Sequence, residues 1–238
     1  MTEQIEIRGL CKDFSVDGHK VEVLKDLELT VPAQEITVIL GRSGCGKTTL
    51  LRLISGLDKD YTGTIHTPGN ARTAFVFQEA RLMPWLTVRQ NIAFGLSKKE
   101  INHKEIDDLI RLTGLDGFAD AYPRQLSGGM SQRTALARAL ALHPQYLLMD
   151  EPFAALDHFT REKMQQALLE IHQTSRCGVL FVTHSIDEAL AIGDRIVILE
   201  DKHVKKVYSL NSTWRTSSDE RQRQALKADI LSSIENKS

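Results

Sequence analysis

The chain has 238 residues, 42% of them hydrophobic, and a formal net charge of −1, which is enough for a sizeable core in one large domain or two lobes. The near-neutral charge leaves no electrostatic footprint for nucleic acid, and the longest apolar runs ("EITVIL", "GVLFVT", "RIVIL") fall well short of the roughly 20 residues that a membrane-spanning helix needs. The start "MTEQIEIRGL" lacks the basic-then-apolar order of a secretory leader, and the widely spaced Cys11, Cys45 and Cys177 fit neither a disulfide framework nor a zinc site and point to a reducing cytosol.

"QIEIRGL" and "KVEVLKDLELTV" alternate and are predicted to be strands of a half-exposed antiparallel sheet. "EITVIL" is a continuous apolar run, as a strand buried on both faces should be, and it ends at a glycine loop. That loop, "GRSGCGKT" from Gly41 to Thr48, matches G-x-x-x-x-G-K-[ST] in the strand-to-helix setting the motif requires, with "KTTLLRLISGL" at helical spacing behind it. Glycines let the backbone wrap round phosphates with N–H groups pointing inward, and the helix N-terminus adds partial positive charge. Gly41, Arg42, Ser43, Gly44, Cys45, Gly46, Lys47, Thr48 and Thr49 are therefore the candidate nucleotide-binding residues. Lys47 would reach the β- and γ-phosphates and Thr48 would offer its hydroxyl to magnesium. The alternative is a glycine turn with an accidental Lys-Thr, and the loop by itself says nucleotide rather than function.

"GTIHTPGNARTAFVF" reads as strand, Pro-Gly turn, strand. From Glu79 to His143 the pattern is helical ("TVRQNIAFGL", "KEIDDLIRLTGL", "SQRTALARALAL"), and β structure resumes with "YLLMD", "GVLFVTH" and "RIVILE". Strand–helix–strand order implies a parallel sheet with crossover helices. Residues 79–143 are thus expected to be a helical insert in an α/β core. "YLLMDEP" is an apolar strand delivering Asp150 and Glu151 to the carboxyl edge of the sheet, where ligands bind in such folds. Asp150 would hold magnesium through water, and Glu151 would orient or deprotonate an attacking water. Alternatively, the two acids favour the N-terminus of a helix at "PFAALD". A second glycine stretch, "PRQLSGGMSQR", follows no strand. Ser127 is a natural N-cap there, so this is another helix N-terminus aimed at an anion. If two copies meet head to tail, each presents this helix end to the other's nucleotide and a twofold dimer holds two composite sites. In the polar tail, Ala225, Leu226, Ile230, Leu231 and Ile234 lie at roughly helical spacing in "DERQRQALKADILSSI", the mark of one docked helix.

"LSGGM" after "PRQ", together with "GRSGCGKT", "VFQ", "LLMDEPFAALD" and "VTHS", resembles the ATP-binding cassette (ABC) ATPases in order and spacing from Ile5 to about Tyr208. The resemblance implies an α/β P-loop NTPase fold of ABC type, with a mixed-sheet core, an antiparallel β lobe and an inserted helical subdomain. The cassette would occupy residues 1–210, with the insert at 79–143 and a tail with one helix at 211–238. It implies that Phe14 stacks on adenine and that Gln78 senses the γ-phosphate or magnesium. Ser127, Gly128 and Gly129 would bind the γ-phosphate of the partner's ATP, Asp157 would lie in the loop crossing the dimer interface, and His184 would contact the γ-phosphate. The bland alternatives are a core Phe14, a solvated Gln78, a core His184, and an Asp157 that merely caps a helix. Catalysis would then rest on Glu151, His184 and Gln78, with ATP as substrate and Mg2+ bound by Thr48, Gln78 and Asp150.

Two departures stand out. Met130 replaces the glutamine usual in the signature, with little loss expected because it lies past the phosphate-binding residues. The stretch between Thr48 and Gln78 is short, so the β lobe should be trimmed. Met130, "LMPW" and the closing helix look like the cassettes of sulfonate, taurine and nitrate importers. That implies a homodimer on the cytoplasmic face of the cell membrane, working with separate permease subunits and, in the complete system, a solute-binding protein, but not with nucleic acid. Met83 and Trp85, in "EARLMPWLTVRQNIAFGL", would either meet the permease or pack inside the helical lobe. The competing reading is a soluble cassette serving as a scaffold in cofactor assembly.

Overall fold

A computed structural model describes residues 4–69, 71–154, 156–210, 214 and 220–235; the parts of the tail at 211–213, 215–219 and 236–238 lie outside the described residues. The elements in chain order are β1 (Gln4–Val16), β2 (His19–Pro32), β3 (Ile36–Leu40), α1 (Lys47–Ile54), β4 (Thr62–His66), β5 (Thr73–Val76), α2 (Val88–Ala93), α3 (His103–Leu112), a 3-10 turn (Pro123–Gln125), α4 (Gly128–Leu140), β6 (Tyr146–Asp150), α5 (His158–Ser175), β7 (Gly178–Thr183), α6 (Ile186–Ile192), β8 (Arg195–Glu200), β9 (His203–Ser209) and α7 (Glu220–Glu235). Contacts divide the chain into two compact units, residues 1–71 with 178–238 and residues 72–177.

The first unit holds two sheets. One is antiparallel, in the order β2-β1-β4. Its alternating sequence puts Ile5, Ile7, Leu24, Leu27 and Val31 inside, as period-two patterning requires. In the other, β3 lies between β7 and β8 with parallel pairing to both, and β9 adds antiparallel beyond β8. β3 and β7 are buried at every residue, which accounts for their unbroken apolar sequences. The tail helix α7 is amphipathic along one stripe: Ile230 is buried, Leu226 and Ile234 are half-buried, and Ala225 and Leu231 are exposed. Lys206 pairs with Asp229 at 2.8 Å and Lys227 with Asp187 at 2.6 Å, tying α7 to β9 and to α6.

In the second unit β5 pairs parallel with β6, register Val76↔Met149. The run "GTIHTPGNARTAFVF" therefore supplies strands to two different sheets, because β4 pairs with β1 while β5 pairs with β6. A turn-forming Pro-Gly does not by itself make a hairpin. Helices α2, α3 and α4 enclose a cluster of Val88, Ile92, Ile106, Ile110, Leu115, Ala137 and Ala141. Met130 packs against it, and a glutamine could not contribute the same apolar surface there.

Asn91 is fully buried on the apolar face of α2. Its Oδ1 accepts from the Met83 N–H at 2.8 Å. Its Nδ2 donates to the carbonyls of Met83 (3.2 Å), Leu86 (2.9 Å) and Thr87 (3.0 Å). One side chain thus satisfies the backbone of an irregular loop that no ladder serves. Asn91→Ala strands these groups, and we expect it to cost about 2–4 kcal/mol of unfolding free energy, read as a lower denaturant midpoint at unchanged slope.

Candidate functional site

In the first unit the glycine loop follows β3 directly. Gly41 has no room for a side chain, since a Cβ there would meet the Leu199 carbonyl oxygen at 2.3 Å. Gly46 caps α1 at φ 103 and, being glycine, supplies no capping side chain. The N-cap position therefore does not compete for the first N–H groups of α1, which suits an anion site. The Lys47 ammonium is buried and donates to the carbonyls of Gly41 (2.8 Å) and Arg42 (2.9 Å) of its own loop. β7 pairs with β3 in the register Leu40↔Thr183. His184 and Gly41 therefore leave adjacent parallel strands at the same level, on the carboxyl edge. The turn beyond is braced by its neighbours. The Ser185 N–H donates to Thr183 Oγ1 at 3.0 Å, and Thr183 Oγ1 donates to the buried Glu188 carboxylate at 2.5 Å.

Phe14 is 39% exposed, which excludes a core role. The β1–β2 ribbon that carries it reaches the glycine loop: Lys12 pairs with Leu24, whose Cδ2 lies 2.7 Å from where a Cβ on Gly46 would sit. Lys12, which sequence reasoning passed over, is buried, lies 4.7 Å from the Phe14 ring centroid, and is ion-paired to Asp58 (3.0 Å) and Asp60 (3.2 Å). Burial pulls its pKa down, but hydrogen bonds to the two carboxylates outweigh that and leave it above the ordinary lysine value. A cation held against the ring leaves the rest of the aromatic surface for a base.

In the second unit the register Val76↔Met149 ends the ladder one residue before Asp150, so Gln78 and Glu151 both follow the carboxyl ends of adjacent parallel strands. Gln78 is exposed and Asp150 is buried. Neither acid caps a helix, because Asp150 closes β6 and the next helix begins at His158. Glu151 sits at φ 43, a left-handed conformation that costs a non-glycine residue energy and that persists where the surrounding structure imposes it. Ser127 is the N-cap of α4, its Oγ accepting from the Met130 N–H at 3.2 Å. Gly129 is tight, with Leu156 Cδ2 3.1 Å from where a Cβ would sit. Asp157 caps α5 by accepting from the Thr160 N–H at 3.0 Å. Hydrogen bonds from the Thr160 side chain and backbone hold its carboxyl below the ordinary aspartate value.

The candidates thus fall into two sets. Phe14, Gly41 to Thr49 and His184 belong to the first unit, and Gln78, Ser127 to Gly129, Asp150, Glu151 and Asp157 to the second. Two supporting residues in the second unit went unread in the sequence: Gln132 and Arg138 of α4, which bind backbone carbonyls beside Gln78. Both read in the sequence as ordinary polar positions of a helix, and only the burial of Gln132 and the carbonyls they reach reveal them.

A family model described as "ABC transporter" matches residues 24–154. The chain is 43% identical over 233 residues to the aliphatic sulfonates import ATP-binding protein SsuB of Bacillus subtilis (strain 168), covering 94% of this chain and 91% of that one. It is 44% identical over 232 residues to SsuB 2 of Pseudomonas syringae pv. tomato, with 97% of each chain covered. Among solved structures it is similar to the dimeric, post-hydrolysis ATP-binding cassette MJ0796 bound to ADP and Pi, with 31% identity, a TM-score of 0.79, and 87% of this chain and 99% of that one covered.

Cys45 lies 4.0 Å (Sγ to Nζ) from Lys47. Burial pushes its thiol above the ordinary cysteine value, and the Lys47 charge only partly offsets this. Alkylation should therefore be slow at neutral pH and accelerate as pH rises through and beyond that value. The adduct should slow ATP hydrolysis, and bound ATP should protect. Mass spectrometry of the modified peptide beside the hydrolysis rate checks this, and full activity in fully modified protein would refute it.

Proposed function

The chain belongs to the ABC transporter ATPase family, and from that premise we propose that it is the ATP-hydrolysing subunit of an importer taking up an aliphatic sulfonate or a similar small anion through separate membrane permease subunits. The observation that carries the ATPase chemistry is the N-terminus of α1, capped by a glycine and preceded by the glycine loop with its buried Lys47. The solute class rests on the near full-length likeness to proteins named for aliphatic sulfonate import. Among the described residues no helix is long and apolar enough to cross a membrane, so the passage itself is assigned to partner subunits. The cassette would sit at the cytoplasmic face beside them, and a solute-binding protein would complete the system.

Each residue then has a role. Phe14 stacks on adenine. The loop N–H groups from Gly41 to Thr49 and the Lys47 ammonium take the phosphates, with more charge stabilisation as negative charge shifts toward the leaving oxygen. Thr48, Gln78 and Asp150 offer a hydroxyl, an amide oxygen and a carboxylate, the hard oxygen donors that suit Mg2+. When bound, the ion supplies positive charge at the β- and γ-phosphate oxygens. Glu151 accepts the proton of the attacking water, and His184 donates a hydrogen bond to the γ-phosphate. Ser127, Gly128 and Gly129 offer the N-terminus of α4 to the ATP of a second copy, so the active species is a homodimer with two composite sites. Asp157 would meet that partner while it caps α5.

Coupling to transport has its own support. Trp85 is 68% exposed rather than packed within its unit, while Met83 beside it is half-buried with its backbone anchored on Asn91. A fixed loop that displays an aromatic side chain is suited to receive a permease segment. ATP-driven closure of the dimer would move that segment, and hydrolysis would release it.

Gentle solubilisation of native membranes with the tagged chain should co-purify a multi-span permease in comparable amount, and recovery of soluble partners alone would overturn the importer reading. Glu151→Gln should bind ATP at parent affinity, persist as a closed dimer on size-exclusion chromatography, and lose about 10²–10⁴-fold in turnover. Turnover at the parent rate would remove Glu151 from the role of base.

A further inference from the structure

We propose that Gln132 and Arg138 are positioning residues that fix the backbone around Gln78 to helix α4, so that Gln78 and the Ser127 end of that helix move as one piece. The inference rests on the reading of Gln78 given above. Gln132 is only 7% exposed, and its Nε2 donates to the Phe77 carbonyl at 2.8 Å. That carbonyl belongs to the peptide group whose nitrogen is Gln78's, so a single hydrogen bond sets the plane from which the Gln78 side chain departs. Two turns further along α4, Arg138 donates from Nη1 to the Arg81 carbonyl and from Nη2 to the Ala80 carbonyl, both at 2.9 Å. The guanidinium fork spans two successive carbonyls, and charge-assisted bonds of this kind are roughly twice as strong as neutral ones.

The segment needs such a clamp. It leaves β5 without joining another strand or helix, so its carbonyls have no ladder partners. Arg81 sits at φ 46, a strained conformation that persists only where its surroundings impose it. Its guanidinium lies 4.2 Å from the Phe77 ring centroid, closing the turn on itself. Asn91 then fixes the chain again at Met83. The same α4 begins at the Ser127 cap, within one continuous helix. A displacement at Gln78 is therefore transmitted through two side chains to the signature end rather than absorbed by a slack loop. Coupling through a packed, hydrogen-bonded element of this sort is what a conformational relay requires.

The test is a double-mutant cycle on the full-length chain, with Gln132→Leu, Arg138→Lys, Gln78→Ala and the combinations with Gln78→Ala. For Gln132→Leu we expect ATP affinity within about twofold of the parent and kcat lower by about tenfold. Hydrogen exchange should quicken in residues 77–82 but not in the α3 core. Arg138→Lys, which keeps the charge but loses the planar fork that spans two carbonyls, should fall between the parent and Gln132→Leu. In the Gln78→Ala background neither change should lower kcat further, because both act through Gln78. If Gln78→Ala lowers kcat and Gln132→Leu adds its full loss on top, or if Gln132→Leu leaves kcat and exchange at parent values, the clamp is overturned. Parent kcat in Gln78→Ala alone is a different result: it overturns the role of Gln78 and removes the route the clamp is proposed to serve. Should Gln132→Leu fail to fold, Gln132→Glu, which keeps the size but loses the donor, takes its place in the same cycle.

Discussion

The glycine loop has to present unclaimed N–H groups to a highly charged anion, and much of the first unit follows from that constraint. An N-terminal helix end is normally closed by a Ser, Thr, Asp or Asn side chain, and α4, α5 and α6 are each closed that way by Ser127, Asp157 and Ser185. α1 is not: its cap is Gly46, which has no side chain to offer. An uncapped helix end is unstable unless something else fixes it. Here β3, paired on both sides and buried throughout, holds the loop's entry, and the Leu199 carbonyl and Leu24 methyl close in on Gly41 and Gly46. Packing thus supplies the rigidity that a capping side chain would otherwise give.

The second unit solves the complementary problem, irregular backbone beside functional residues. Strands and helices satisfy their own carbonyls; the stretches between them do not. Four side chains do it instead. Asn91 holds the loop at Met83 to Thr87, Arg133 binds the carbonyls of Thr113 (3.1 Å) and Gly114 (2.9 Å), and Gln132 and Arg138 bind the run after β5. Three of the four stand on α4. The helix that bears the signature serine is therefore also the post on which the neighbouring loops hang, and this follows from hydrogen-bond satisfaction alone.

What the sequence made legible was local. β3, α1, β6 and the Ser127 cap are specified by residues within a few positions of one another: an apolar run, a glycine spacing, a hydroxyl before a helix. The alternatives weighed for Phe14 and for the Asp150–Glu151 pair needed burial and element ends, which only the fold supplies. Three elements, α5, α6 and β9, are not marked out by the sequence pattern. For β9 the reason is physical: it is an edge strand with a register shift opposite Ile198 and Leu199, so Val204 and Val207 fall out of simple alternation. The separation of β4 from β5 was equally hidden, because it depends on partners, β1 and β6, distant in sequence. Gln132 and Arg138 look like solvated polar positions until the carbonyls they reach are known.

Glu151 and Arg81 both sit in the left-handed region without being glycine, as do Asp17, Asp26, His143, Arg176, Asp201 and Lys202, so backbone strain by itself marks no site. Glu151 directly follows β6, and Arg81 lies just past Gln78. At either position glycine would adopt the same backbone more cheaply. What a larger side chain contributes there has to be read from its contacts. For Arg81 the contribution is visible in the ring contact with Phe77. For Glu151 the cost is met by anchoring on both sides: Asp150 before it ends a buried, paired strand and Phe153 after it is buried. The backbone at Glu151 is therefore held from both sides.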